Sequence, residues 1–140
     1  MKFPNIGLLL LLSGFAAILS ACSGGAAPVY IEGDERVSVA AAVDPLAANI
    51  VDAIAAADYT AFTKDFDAAM QKALTQEKFD QITGIYGKLG KADSIDLVNV
   101  EDKDTYYGVN YKVVYPAQSV NMLLVVAKDV TDQVTGLWFK

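Results

Sequence analysis

The chain contains no histidine and a single cysteine, Cys22. Without an imidazole there is no Ser–His–Asp triad and no general base of that type. With one thiol there is no internal disulfide, and a zinc site built from cysteine and histidine is excluded. Runs of lysine or arginine are also missing. The formal charge is −6 over 140 residues. Lys2 is the single charge in residues 1–21, so the remainder carries ten basic and 17 acidic side chains, a formal −7. Such a surface repels phosphate backbones, which argues against nucleic acid as a partner. Membrane contact is then expected to come from a lipid rather than from a basic face.

What is present at the amino terminus is an export signal. Lys2 supplies a short positive region, and Gly7 to Ile18 is uncharged and largely apolar. That stretch has the length of a signal-peptide core and falls short of the ~20 residues that span a bilayer. Leu19-Ser20-Ala21-Cys22 follows. The tetrapeptide resembles the bacterial lipobox, in which a diacylglycerol is attached to the cysteine thiol before cleavage on its amino side. The resemblance implies lipidation at Cys22 and an extracytoplasmic domain anchored to the cell membrane or outer membrane. The division expected is a lipoprotein signal over 1–21, a flexible Gly/Ser-containing tether over 22–43 and a folded domain over 44–140. Within the tether, Val29–Ile31 and Val37–Val39 have the character of docking segments.

Asp44-Pro45 has the composition of a helix start, with Asp as cap and Pro in the first turn. Leu46, Ile50, Ile54 and Ala57 repeat on one helical face, predicting a helix over 45–57. Tyr59, Phe62, Phe66 and Met70 form the stripe of a second helix over 58–73. Phe79, Ile82 and Tyr86 form that of a third over 75–87, with Thr75 as a cap. The period then drops to two. Strands are predicted at Ile95–Val100, from Tyr107 to Tyr115, at Val120–Ala127 and at Val134–Phe139, with Glu101 to Asp104 as a polar turn. Val120–Ala127, a more continuous apolar run, reads as a central strand covered on both faces. Three helices followed by four strands with short turns make an α+β domain with an antiparallel sheet.

Asp58-Tyr59, Phe62, Phe66-Asp67 with Met70, Gly90 and the terminal Val134-Thr135-Gly136-Leu137 resemble domains of secreted and lipid-anchored prokaryotic proteins. Those domains lie in the nuclear-transport-factor-like, or ketosteroid-isomerase-like, superfamily. The resemblance implies a cone-like curved sheet around the helices, a pocket between them and a homodimer formed through the sheet.

Four tyrosines are the candidate ligand residues: Tyr86, Tyr107, Tyr111 and Tyr115, the last three on one face of a strand. Their hydroxyls would donate to a ligand oxygen in a pocket; the competing reading packs them against the helices. Asp96 is the candidate carboxylate base for tyrosine-assisted chemistry, against a solvated position on the outer sheet face. Asp65/Asp67 and Glu101/Asp102/Asp104 lack calcium-loop spacing. No catalytic residue, metal or cofactor is therefore expected. The functions weighed are a non-enzymatic module binding a small apolar ligand or an envelope protein, a structural or dimerisation module, and a pocket enzyme using carboxylate and tyrosine chemistry.

Overall fold

The structure is a computed structural model and describes residues 26–140. The signal segment and Cys22 lie outside the described residues. The order is β1 (Val29–Tyr30), α1 (Gly33–Ala56), α2 (Tyr59–Thr63), α3 (Ala68–Ala73) and α4 (Gln76–Tyr86). A 3-10 turn over Gly87–Leu89 leads into β2 (Ser94–Lys103), β3 (Tyr106–Val114), β4 (Ser119–Ala127) and β5 (Val130–Phe139). The five strands form one antiparallel meander in the order β1-β2-β3-β4-β5. The α+β class and the antiparallel sheet are as the sequence implied; one strand and one helix are added.

The main correction concerns α1. It begins at Gly33 rather than Pro45, so Pro45 sits inside the helix and Asp44 is no cap. The segment from Gly33 onward that was expected to be tether is helical. Its Val39 and Val43 continue the buried stripe of Leu46, Ala47, Ile50, Val51 and Ile54. Asp34 and Glu35 stand in the first turn, where carboxylates suit the helix dipole. By length and composition alone α1 could cross a membrane. Here its apolar stripe is packed in the core of the domain.

The expected second helix is two. The Phe66 backbone leaves the helix to form a parallel bridge with Val134. Asp58 and Asp67 cap the two pieces, accepting from the backbone N–H of Ala61 at 2.9 Å and Met70 at 2.7 Å. Phe62 lies between Phe66 and Phe79, with ring centroids 5.0 and 4.7 Å away. Tyr59 tilts against Phe79 and donates its hydroxyl to the Leu74 carbonyl at 2.8 Å.

The sheet presents two unlike faces. Val100, Val109, Tyr111, Val113, Met122, Leu124 and Val126 are buried toward the helices. On β4 burial alternates strictly, leaving Leu123 and Val125 partly exposed on the opposite side. The expectation that this strand is covered on both faces therefore fails. The residues expected in the Glu101–Asp104 turn also move: β2 runs to Lys103, and the turn is left to Asp104, at φ 63°, and Thr105.

Candidate functional site

Between α1 and the sheet the interior is filled with side chains, and the tyrosines are part of the filling. Tyr107, Tyr111 and Tyr115 are buried. The Tyr111 hydroxyl donates to Asp44 Oδ1 at 2.7 Å, and the Tyr107 hydroxyl donates to Glu35 Oε1 at 2.8 Å. Burial first, and the Asp44 bond second, push the Tyr111 hydroxyl far above the usual tyrosine range. For Tyr107 the bond to Glu35 is the larger cause of an upward shift, followed by burial. Both rings therefore act as hydrogen-bond donors across the neutral range and not as bases. Tyr115 is raised mainly by burial. Tyr86 comes from α4, its ring 4.6 Å from that of Phe139, and its hydroxyl is close enough to Tyr115 to add to that upward shift.

At one end of this core is a small polar recess of about 260 Å³, lined by Glu35, Ser38, Val39, Tyr107, Lys128 and Thr131 among others. Lys128 Nζ lies 2.7 Å from Asp102 Oδ1 and 5.1 Å from the centre of the Tyr107 ring. The ion pair lowers the Asp102 carboxyl and raises the Lys128 ammonium. Every charge here has a partner of opposite sign or a hydroxyl donor, which suits a lock between helix and hairpin.

Asp96 is exposed, accepts from the Ser94 hydroxyl at 3.2 Å and pairs in register with Lys112. It stands on the face of the sheet away from the tyrosines. Of the acidic groups, Asp67 caps α3 and Asp102 pairs with Lys128, and the Asp65 carbonyl accepts from the Val134 N–H at 2.8 Å. Among the described residues no three metal-ligating side chains converge.

A further opening lies on the outer face of the sheet. It is a groove of about 500 Å³ lined by Lys103, Tyr106, Leu123, Val125, Trp138 and Lys140. Trp138 is 52% exposed and Tyr106 43%. Two glycines make the groove. A Cβ on Gly136 would stand 2.5 Å from Trp138 Cζ3 and one on Gly108 would stand 2.5 Å from Lys103 Cε. The indole therefore lies across one glycine and the lysine stem across the other, both amphipathic side chains held against the sheet. Lys103 is also paired with Glu101. A neighbouring recess of about 270 Å³ continues the face through Tyr30, Val98, Asn99 and Asn110. The Asn110 amide donates to Asn99 Oδ1 at 2.8 Å.

A family model described as "protein of unknown function (DUF3887)" matches residues 47–136. The chain belongs to this family. No curated protein and no solved structure matches the chain. The DUF3887 segment runs from within α1 to Gly136. It takes in the Phe62, Phe66 and Phe79 cluster, both groove glycines and the Leu123/Val125 pair, and ends two residues before Trp138. The Asp58, Tyr59, Phe62, Phe66, Asp67 and Met70 motif inside it does structural work: caps, a hydroxyl tie and core packing.

The groove residues carry no distinguishing mark in the sequence, because each is ordinary for its strand. The available signal is the apolar run Met122–Ala127, which places Leu123 and Val125 on a face that no helix of the described residues covers.

Proposed function

We propose that this protein is an extracytoplasmic lipoprotein, anchored through lipid on Cys22, whose domain is a non-enzymatic binding module working through the open face of its sheet. The observation that carries the binding reading is the Trp138 groove. An indole half out in solvent, beside Tyr106, Leu123 and Val125, is the kind of exposed apolar patch that marks an interaction surface. Its volume of about 500 Å³ falls within the usual range of ligand pockets, roughly 300–1,000 Å³. Leu19-Ser20-Ala21-Cys22 supports the anchor. Two acyl chains hold a protein on a bilayer stably, where one gives marginal binding.

The filled interior weighs against the pocket-enzyme reading. Its two carboxylate–tyrosine pairs tie α1 to β3, each carboxylate already holding a hydroxyl donor. The cone-like superfamily remains the finer fold reading, carried by the Asp58-to-Met70 motif and by the meander lying against α1.

The test is fractionation of producing cells with wild-type and Cys22→Ser chains. Wild type should sediment with membranes at the mass of a cleaved, acylated chain, and Cys22→Ser should either be released or stay at the mass of the uncut chain. Equal partition of the two as chains of the same processing would refute the anchor. Trp138→Ala with wild-type stability should lose whatever the domain binds, while Tyr86→Phe should keep it.

A further inference from the structure

The folded domain begins much closer to Cys22 than the sequence suggested. β1 starts at Val29, seven residues after the cysteine. Seven extended residues reach at most about 25 Å. Val29 pairs with Asp102 at the edge of the sheet, next to the Lys103–Tyr106 pair at the end of the β2–β3 hairpin. A lipid on Cys22 would thus hold this end of the sheet close to the bilayer. Trp138 lies four strands across, about 19 Å from β1 at the usual strand spacing. It too is within reach of the same surface.

The chemistry of the outer face fits that surface. Tyr30, Tyr106 and Trp138 all project from it, at 47%, 43% and 52% exposure. Tyrosine and tryptophan, with an apolar ring and a polar tip, are the residues enriched at membrane–water interfaces. Leu123, Val125 and the exposed Val98 add apolar area. Lys103, Lys112 and Lys140 share the face; the Lys103 ammonium is held by Glu101, and Lys112 and Lys140 have stems that lie along the sheet and can carry their ammonium groups to phosphate. Asp96 stands opposite Lys112 and Glu101 beside Lys103, so the carboxylates of this face are compensated within a strongly acidic chain.

We propose that the outer face of the sheet, carrying Tyr30, Tyr106 and Trp138, lies in the headgroup layer of the bilayer to which Cys22 is anchored. This names the partner of the groove and rests on the lipid-anchor reading above. The domain then lies flat on the membrane, with α1 and its helical layer turned to the aqueous side.

Trp138 is the single tryptophan of the chain, so its emission reports this face alone. The experiment uses the full acylated protein in vesicles of phosphatidylcholine and phosphatidylglycerol, with the phosphatidylcholine brominated high on its acyl chains. Flotation and tryptophan emission are read on the same sample. The protein should float, and bromine should cut Trp138 emission about twofold or more, as for an indole seated at the acyl boundary. Lys112→Glu together with Lys140→Glu should keep flotation and weaken the quenching. Flotation with Trp138 unquenched by bromine and open to aqueous acrylamide would overturn the proposal and leave the anchor standing. Protection from acrylamide without bromine quenching would also overturn it, in favour of a second copy of the chain covering the face. Failure to float would remove the anchor and this inference together.

Discussion

Tyr111 donates its hydroxyl to Asp44, and this bond sets the register of the long helix on the sheet. Tyr107 makes the same bond to Glu35. The spacing on the two elements matches. Nine helical residues from Glu35 to Asp44 rise about 13.5 Å, and four strand residues from Tyr107 to Tyr111 rise about the same. The two rungs therefore fix α1 parallel to β3, and they require α1 to extend well before Pro45. A double-mutant cycle of Tyr111→Phe and Asp44→Ala measures the rung. We expect Tyr111→Phe to lower stability by about 1–2 kcal/mol in urea denaturation. We expect non-additivity with Asp44→Ala, because the carboxylate is exposed enough to regain water when its donor is lost. Strict additivity would break the rung.

Alkaline pH should loosen the same contact. The Tyr107, Tyr111 and Tyr115 hydroxyls titrate higher in the folded chain than in the unfolded one, where tyrosine loses its proton near pH ~10. Below that pH their stabilisation is fully present. Above it the unfolded chain gives up protons that the folded chain retains, so stability falls as pH rises. The slope approaches about 1.4 kcal/mol per pH unit for Tyr111 alone. Urea midpoints between pH 8 and 11 should be flat and then fall, and Tyr111→Phe should flatten the fall.

Pro45 offers a direct check on where α1 begins. Inside a helix a proline removes one backbone hydrogen bond and crowds the preceding turn. Pro45→Ala should therefore raise stability by about 1–3 kcal/mol, less the entropy that proline removes from the unfolded chain. Were Pro45 in the first turn, the same change would be neutral or harmful. Thermal midpoints of the two chains decide between these.

The groove can be opened without touching the core. A side chain at Gly136 collides first with the Trp138 ring, which is exposed and free to move, and stands 3.3 Å from Val125 Cβ. Gly136→Ala should lift the indole off the sheet. Trp138 emission should shift to the red and acrylamide quenching should rise, with stability changed by less than about 1 kcal/mol. An unchanged spectrum would mean that the indole does not lie across the glycine.

Much of this was legible in the chain and some was not, for identifiable reasons. The alternation from Tyr107 to Tyr115 and the stripe of Phe62, Phe66 and Phe79 gave the strand and the helical layer, because both bury one side against a common core. Pro45 misled because aspartate suits the cap and proline the first turn of a helix, and the two tyrosine–carboxylate rungs that keep it mid-helix join residues 67 and 72 apart in sequence. Phe66 misled because its periodicity continues a helix while its backbone joins Val134. Tyr107 and Tyr111 look like ligand residues only until their hydroxyls are traced to α1. The groove was invisible because a strand with apolar residues on both faces reads as central, whatever covers it.

The account as a whole turns on the chemistry at Cys22, and intact mass spectrometry of the protein extracted from bacterial membranes tests it most directly. The mass should equal residues 22–140 plus a diacylglyceryl group, with or without a further acyl chain on the new amino terminus. A mass equal to the uncut 140-residue chain, or to a cleaved chain without lipid, would contradict it.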